Sequence, residues 1–279
     1  AKSLVFTSGA TEANNLALKG VMRAAGKRRH FITTAAEHRS VLDPAKKLAR
    51  EGYDVTILPV DEHARVDVSQ IADALREETA LVSVILANNE VGSINPLDEI
   101  CELCRQHGVL IHTDAVQAVG KIPVDLERLP VDLLSLSAHK LYGPKGTGAL
   151  YVRRSGRRIA IEPLFDGGGH ERRLRSGTLA VPIIVGFGAA CEIAQDALLE
   201  EPRRLQALRD RLWNRLSAQL GGLLLNGHPE LRLPNNLNVS FEGVDGEALM
   251  VGLRDVAVSS GSACTSADPE PSRVMTAVG

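Results

Sequence analysis

The sequence predicts an α/β protein built on a large, mostly parallel sheet that is flanked by helices. Strand-like and helix-like segments alternate along the chain up to about residue 185. The connections between strands are long enough to contain helices, which favours parallel pairing with right-handed crossovers. Residues 80–86 also form an apolar, β-branched run, as expected of a strand that is buried on both faces.

The individual elements follow from hydrophobic periodicity and from the positions of glycine and proline. Pro96 and Gly108, for example, bracket a segment that is typical of a helix. We predict strands at residues 5–7, 30–34, 55–60, 80–86, 109–112, 131–136 and 148–152. We predict helices from the turn at residues 8–12 through Leu18, and at residues 40–50, 67–76 and 96–108.

The pattern changes beyond residue 185. A long helical stretch at residues 184–220, broken by Pro202, precedes a strand at residues 237–241. This order is typical of a smaller α+β unit. We therefore expect a large domain at residues 1–193 and part of a small C-terminal domain at residues 194–279.

The composition is that of an ordinary globular protein and argues against two classes of partner. Hydrophobic residues make up 44% and charged residues 24% of the 279 residues. The 32 basic and 34 acidic side chains leave a net charge of −2. We therefore expect no general attraction for nucleic acid or for an anionic membrane. The apolar runs are also shorter than the ~20 residues that span a bilayer.

The four cysteines are too few and too irregularly spaced for a disulfide framework, so we expect a reducing, cytoplasmic location. Cys101 and Cys104 share one face of a predicted helix without further ligands at suitable spacing, so we expect them to be structural and predict no metal site. We expect Cys191 to be a small residue that packs between helices. Cys264 lies among small residues at 259–266, which suits a reactive thiol in an exposed loop, although an incidental loop cysteine fits too.

Lys140 lies in the densest polar segment of the sequence, residues 135–146, where a strand ends and a Gly/Pro turn follows. Open α/β sheets bind ligands beyond the carboxyl ends of their strands. By itself, a lysine at a strand end is more often a solvated side chain. Asp114 favours a ligand site over a solvated lysine, because it follows another predicted strand and supplies an acid that a buried cofactor could use.

Residues 8–13 form a turn that opens a helix directly after a strand. Free backbone N–H groups and the helix dipole at such a terminus suit a phosphate group. The same residues also fit an ordinary capping sequence, with Ser8 or Thr11 as the N-cap and Glu12 nearby. His38 follows another strand; such a histidine is more often a surface or cap residue, although imidazole also suits proton transfer near neutral pH.

Together these segments resemble the pyridoxal-phosphate (PLP) enzymes of fold type I, and within them the class V aminotransferases. The pattern of that group is a strand-end Asp followed by Ser-x-His-Lys, here Asp114 and residues 137–140. Residues 37–38, 88–90 and 167–171 are similar to segments of NifS/IscS-type cysteine desulfurases. Residues 259–266 resemble the loop that carries the catalytic cysteine of those enzymes. The likeness runs from Phe6 to the end of the chain.

The resemblance implies a role for each residue of the matching motifs. Lys140 would hold the cofactor as a Schiff base, Asp114 would face its pyridine nitrogen, and His38 would stack on its ring and assist proton transfer. Asn89 would face the cofactor and the substrate carboxylate, and Cys264 would take sulfur as a persulfide. The other implied cofactor contacts are Gln117 at the phenolic oxygen and Ala10, Thr11, Ser137, His139 and Thr178 at the phosphate.

The same resemblance implies an enzyme that converts L-cysteine to L-alanine and passes sulfur to an acceptor protein such as an iron–sulfur scaffold, for cluster assembly or thio-modification. Thr178 would come from the neighbouring subunit, which implies a homodimer with shared active sites. Two alternatives stay open: a selenocysteine lyase with the same pocket, and a non-catalytic scaffold with the same fold. The family extends beyond both ends of this sequence, so we expect the chain to be truncated at each end.

Overall fold

The computed structural model describes residues 2–261 and 272–279. Its strands are β1 (Leu4–Thr7), β2 (His30–Thr34), β3 (Asp54–Leu58), β4 (Thr79–Ser83), β5 (Leu110–Asp114), β6 (Leu133–Ser137), β7 (Gly148–Val152), β8 (Leu223–Asn226) and β9 (Asn238–Phe241). Its helices are α1 (Ala10–Ala24), α2 (Arg39–Arg50), α3 (Val68–Ala74), α4 (Leu97–Gln106), α5 (Val181–Ala197), α6 (Glu201–Gln219), α7 (Gly246–Gly252) and α8 (Arg273–Val278). Short 3-10 helices lie at Ala138–Leu141 and Glu171–Arg173.

Seven strands form one sheet in the order β1-β7-β6-β5-β4-β2-β3. The pairs between β3, β2, β4, β5 and β6 are parallel, which confirms the predicted mostly parallel α/β domain. β7 is antiparallel to both of its neighbours, β6 and β1. Only a 3-10 turn and a short loop separate β6 from β7, too few residues for the crossover that a parallel pair needs.

Helices cover both faces of the sheet, as the apolar strands require. Phe31 and Leu81 pack into one apolar layer with residues of α1 and α2. Their immediate neighbours Ile32 and Val82 pack into the opposite layer with residues of α3 and α4. Because successive side chains of a strand point to opposite faces, this alternation explains why these strands read as continuous apolar runs.

The C-terminal part forms a smaller unit around the antiparallel hairpin of β8 and β9. The predicted strand at residues 237–241 is confirmed as β9, and Pro202 lies in the first turn of α6. β8 was missed, because its leucines continue the apolar pattern of the preceding helix. Gly222, at φ 67°, adopts the left-handed conformation in the turn between α6 and β8. The division proposed at residue 193 falls within α5 and stays a prediction.

Among the described residues, no single helix is long and apolar enough to cross a membrane; α5 and α6 meet that test only when joined across a bend of 70°.

Candidate active site

The predicted site residues follow strands whose carboxyl ends lie at one edge of the sheet. β2, β4, β5 and β6 are parallel, and β1 has the same direction because it and β6 are both antiparallel to β7. The residues at this edge are Ala10 and Thr11 after β1, His38 after β2, Asn89 after β4, Asp114 and Gln117 at and after β5, and Ser137, His139 and Lys140 at and after β6. This edge is where open α/β sheets bind ligands.

The first turn of α1 presents backbone N–H groups at this edge. Gly9 is the N-cap of α1, so neither Ser8 nor Thr11 takes that place, and no side chain among the described residues caps the turn. Glu12 reaches back instead, and its Oε2 accepts a hydrogen bond of 2.8 Å from the backbone N–H of Ser8. The N–H groups of Ala10 and Thr11 therefore suit an anion at a helix N-terminus.

Gly148 allows strand β7 to approach this turn closely. A Cβ atom at Gly148 would lie 2.8 Å from the Cα of Gly9 and 2.6 Å from the carbonyl oxygen of Leu136. Any side chain at position 148 would therefore push the turn away from the sheet.

Asp114 ends β5 with its side chain buried. Its Oδ2 accepts a hydrogen bond of 2.7 Å from Asn14 Nδ2, and its Oδ1 accepts one of 3.0 Å from the backbone N–H of Val116. Burial raises the pKa of Asp114, while the two hydrogen bonds and the nearby His38 act in the opposite direction. The carboxylate is thus desolvated but provided with donors that favour its ionised form.

His38 is the N-cap of α2. Its Nδ1 accepts a hydrogen bond of 3.1 Å from the backbone N–H of Ser40, which satisfies one of the free donors of the first helical turn. The hydroxyl of Ser40 also lies 2.7 Å from Nδ1. Because a backbone N–H only donates, Nδ1 is an acceptor and the neutral ring carries its proton on Nε2.

Glu37, beside His38 in the sequence, is a fully buried carboxyl group. Its Oε1 accepts hydrogen bonds from the backbone N–H of Ile85 at 2.7 Å and from the hydroxyl of Thr34 at 3.0 Å. Burial raises the pKa of Glu37 to about 8, and the neighbouring Asp114 adds to that effect. This raised pKa favours the protonated form of Glu37 at neutral pH.

Lys140 is exposed on the 3-10 helix that follows β6. Tyr142 ends that helix in the left-handed conformation, with φ 60°. Ser137 and His139 precede the lysine, and the Ser137 hydroxyl lies 2.7 Å from His139 Nδ1. Burial and the charges of Lys140 and Lys145 lower the pKa of His139. The segment thus presents one free amine beside a hydroxyl and an imidazole.

Asn88 and Asn89, which follow β4, have different surroundings. The Oδ1 of Asn88 accepts hydrogen bonds from the backbone N–H groups of Glu90 and Val91, and its Nδ2 donates to the carbonyl of Ala36. Asn88 therefore builds the turn. The Oδ1 of Asn89 is buried and has no partner among the described residues. A buried acceptor without a partner marks a place where a ligand donor would be favourable.

Thr178 is exposed in the loop before α5, and Gln117 is half-buried in the turn after β5. The loop of Thr178 is tied to α1 by Arg175, whose Nε lies 2.8 Å from Glu12 Oε1. The structure therefore brings this loop next to the first turn of α1 within one chain.

The thiols of the described cysteines are poorly suited to react. Cys101 and Cys104 are buried on α4, and burial raises the pKa of each thiol to about 12. Burial also raises the pKa of Cys191. These observations agree with the structural role that we expected for the three residues. Cys264 lies outside the described residues.

Sequence reasoning missed Asn14 and Ser40, which contact Asp114 and His38, and it gave Glu37 no role. A signal was present for Asn14, because it lies on the buried face of α1 with Ala17, Leu18 and Val21. A polar residue on an apolar helical face needs a buried partner. The partners themselves are distant in sequence and could not be read from the pattern.

Comparisons with known proteins identify relatives that match the whole chain. The model of the family described as Aminotransferase class-V matches residues 1–279. The mitochondrial cysteine desulfurase of Arabidopsis thaliana is 52% identical over 279 residues, which are 100% of this chain and 61% of that protein. The cysteine desulfurase IscS of Aeromonas hydrophila subsp. hydrophila is 53% identical over 100% of this chain and 69% of its own length.

Two solved structures share the fold. A NifS-like protein superimposes with a TM-score of 0.90 at 39% identity, over 99% of this chain and 73% of that chain. The structure of SspA in complex with cysteine gives a TM-score of 0.85 at 35% identity, over 100% of this chain and 77% of that one. The fold class predicted from the sequence is thereby confirmed. The chain spans 61% and 69% of the lengths of the two curated relatives named above.

Proposed function

Because the chain belongs to the class V aminotransferase family, and within it to the cysteine desulfurases of the NifS/IscS type, we propose that it uses PLP to convert L-cysteine to L-alanine and transfers the sulfur to Cys264. One observation carries the proposal: a free amine, a buried carboxylate, an imidazole and an uncapped helix N-terminus follow strands that end at the same edge of the sheet. A partner platform without chemistry has no need of all four groups.

The residues at this edge fit the cofactor. The first turn of α1 offers N–H groups to the phosphate, with Ala10, Thr11, Ser137 and His139 around it and Thr178 from a second copy of the chain. The buried Oδ1 of Asn89 has no protein partner among the described residues and is free to accept a hydrogen bond. Gln117, in the turn after Asp114, would donate to the phenolic oxygen. When bound, the pyridinium ring of PLP supplies an electron sink for a substrate carbanion.

Each catalytic side chain has a task that its surroundings support. Lys140 is exposed and supplies the amine that holds the cofactor aldehyde. Asp114 is buried and accepts two hydrogen bonds, which favour the carboxylate that keeps a facing pyridine nitrogen protonated. His38 presents Nε2 with its proton, since Nδ1 accepts from Ser40. The imidazole therefore donates a hydrogen bond or a proton through Nε2.

Cys264 is the cysteine that we propose as the sulfur carrier. The thiols of Cys101 and Cys104 are buried with raised pKa values, so they do not supply the thiolate that attacks sulfur. The L-cysteine substrate, an acceptor protein such as an iron–sulfur scaffold, the homodimer and a cytoplasmic location are parts of the same proposal. The relatives include both a mitochondrial protein and bacterial ones, so the location needs its own test.

The test measures alanine release from L-cysteine by the chain supplied with PLP and a thiol acceptor. We expect alanine formation in the wild type, its loss in Cys264→Ala, and retention of the visible absorption band of bound cofactor in that variant. Equal alanine release by Cys264→Ala would contradict the sulfur-carrier role. A preference for selenocysteine over cysteine would favour a selenocysteine lyase, and absence of the absorption band would favour a scaffold.

A further inference from the structure

Asn14 is completely buried and contacts both Asp114 and Ser40, the residue whose hydroxyl lies beside His38. Its Nδ2 donates to Asp114 Oδ2 at 2.7 Å and to Ser40 Oγ at 2.8 Å. An amide nitrogen carries two protons, so these bonds use both of them. Asn14 therefore connects α1 to the end of β5 and to the first turn of α2 through a single group.

Asp114, Asn14, Ser40 and His38 form a series of hydrogen bonds. The donor and the acceptor in each bond follow from the groups on either side of it. A carboxylate only accepts, so the amide nitrogen of Asn14, and not its oxygen, must face Asp114. Ser40 Oγ accepts the second amide proton and has its own hydroxyl proton left to give. His38 Nδ1, 2.7 Å away, is the acceptor, because the backbone N–H of Ser40 donates to the same nitrogen.

Protonation of Asp114 would reverse the donor and acceptor roles in part of this series of hydrogen bonds. A neutral carboxyl group carries a proton of its own, which the Oδ1 of Asn14 can accept when the amide turns over. That oxygen has no partner among the described residues in the present arrangement. After such a turn the Asn14 oxygen would also face Ser40, whose hydroxyl proton would then leave His38 Nδ1 for the amide oxygen. A change in the charge of Asp114 would thus change the hydrogen bonding of His38 Nδ1.

We propose that Asn14 is a positioning residue that couples the charge of Asp114 to the hydrogen bond between the Ser40 hydroxyl and His38 Nδ1. The relevance of this coupling to catalysis depends on the proposed function, whereas the coupling itself belongs to the hydrogen bonds of the chain. The Ser40 hydroxyl would donate to His38 Nδ1 while Asp114 is ionised and would release it when Asp114 is protonated.

The test is carried out on the complete chain without cofactor, so failure of PLP to bind would not affect it. Ring-nitrogen NMR shifts of His38, assigned by their loss in His38→Gln, are followed against pH together with the carboxyl-carbon shift of Asp114. Asp114 also interacts electrostatically with the buried carboxyl group of Glu37. Each protein is therefore compared with and without Glu37→Gln, which removes that titration.

In the wild type, we expect the His38 ring shifts to follow the titration of Asp114. Asn14→Ala should raise the midpoint of that titration by about one pH unit, because a hydrogen bond to the ionised form is lost. It should also abolish the response of His38. Asn15→Ala is the matched control, since Asn15 is the next residue of α1 and, among the described residues, its side chain donates to the carbonyl of Thr11 and not to the site. It should leave both signals unchanged.

Ser40→Ala keeps the bond between Asn14 and Asp114 and the backbone donor to His38. It should leave the Asp114 midpoint unchanged and remove the response of His38. The proposal is overturned if Asn14→Ala behaves like Asn15→Ala, or if His38 still follows Asp114 in Ser40→Ala. The second variant decides the matter even where Asn14→Ala fails to fold.

Discussion

The carboxylate of Glu12 lies 2.8 Å from the guanidinium Nε of Arg175, which joins the first turn of α1 to a loop 163 residues away in the sequence. Both side chains are largely buried, at 9% and 20% exposure. Burial raises the pKa of Glu12, and hydrogen bonds from Arg175 and Ser8 more than offset it, so that the pKa is lowered. The pair holds the loop before α5 against the first turn of α1 within one chain.

Arg175→Ala should therefore lower the free energy of unfolding by about 1.5–3 kcal/mol, the range for hydrogen bonds to charged groups. Chemical denaturation followed by circular dichroism measures the change. Arg204→Ala is the control, because its pair with Glu201 is exposed and should contribute almost nothing. Equal losses in the two variants would show that the Glu12 pair has no special role.

Glu37 should make the protein less stable as the pH rises. Its pKa is 4.5 when unperturbed and about 8 in the folded chain, so the folded state holds a proton that the unfolded state releases between these values. The stabilisation is complete below about pH 4.5 and is lost as the pH rises through about 8. Across this window the free energy of unfolding should fall by on the order of 4 kcal/mol from this group.

Glu37→Gln tests this assignment, because glutamine resembles the protonated carboxyl group and keeps an oxygen for Ile85 and Thr34. We expect the variant to have a flatter stability profile between pH 4.5 and 8 and to be more stable than the wild type at pH 8. A variant whose profile runs parallel to that of the wild type would show that Glu37 is ionised in the folded protein.

His112 should make the protein less stable as the pH falls, which is the opposite of the effect of Glu37. It is buried on β5, with Ser83 Oγ 2.8 Å from Nδ1 and Ser135 Oγ 3.0 Å from Nε2, and burial lowers its pKa to about 3. Its contribution to stability is present above its ordinary pKa of 6.5 and is lost as the pH falls through about 3. NMR of the ring should show a neutral imidazole from pH 8 down to the onset of acid unfolding. A titration midpoint near 6.5 in the folded protein would refute this.

The cysteines should differ in their reactivity with an alkylating reagent at neutral pH. Cys101 and Cys104 should remain unmodified in the folded protein, because they are buried and their pKa values are about 12. Cys264 should be modified if it is the reactive thiol that the sequence predicts. Peptide mass spectrometry measures the modified fraction, with the protein in denaturant as the reference. Rapid modification of Cys101 in the folded state would contradict the structural assignment.

Much of the architecture could be predicted because strand and helix periods are local. The strands at residues 30–34 and 148–152 agree with β2 and β7 to the residue. β8 was missed because its three leucines fit a helix as well as a strand, and only the pairing with β9 decides between them. The antiparallel direction of β7 depends on the short connection from β6, a feature of the sheet and not of the strand.

The sequence motifs of the candidate site could be predicted, but the hydrogen bonds between its residues could not. Asp114, His38 and Lys140 stand out because polar residues follow buried strands. The hydrogen bonds around Asp114 and His38 join Asn14 to residues 26 and 100 positions away in the sequence. Such contacts depend on how α1 packs against the sheet, and no local pattern specifies them. The same holds for Glu37, whose burial depends on the backbone of Ile85.

The most direct test of the central claim is to locate the cofactor on the chain. The protein is incubated with PLP, reduced with borohydride and digested, and the peptides are analysed by mass spectrometry. We expect one phosphopyridoxyl group on Lys140, none on the nearby Lys145, and loss of the visible absorption band in Lys140→Ala. Labelling spread over several lysines, or labelling that persists in Lys140→Ala, would contradict it.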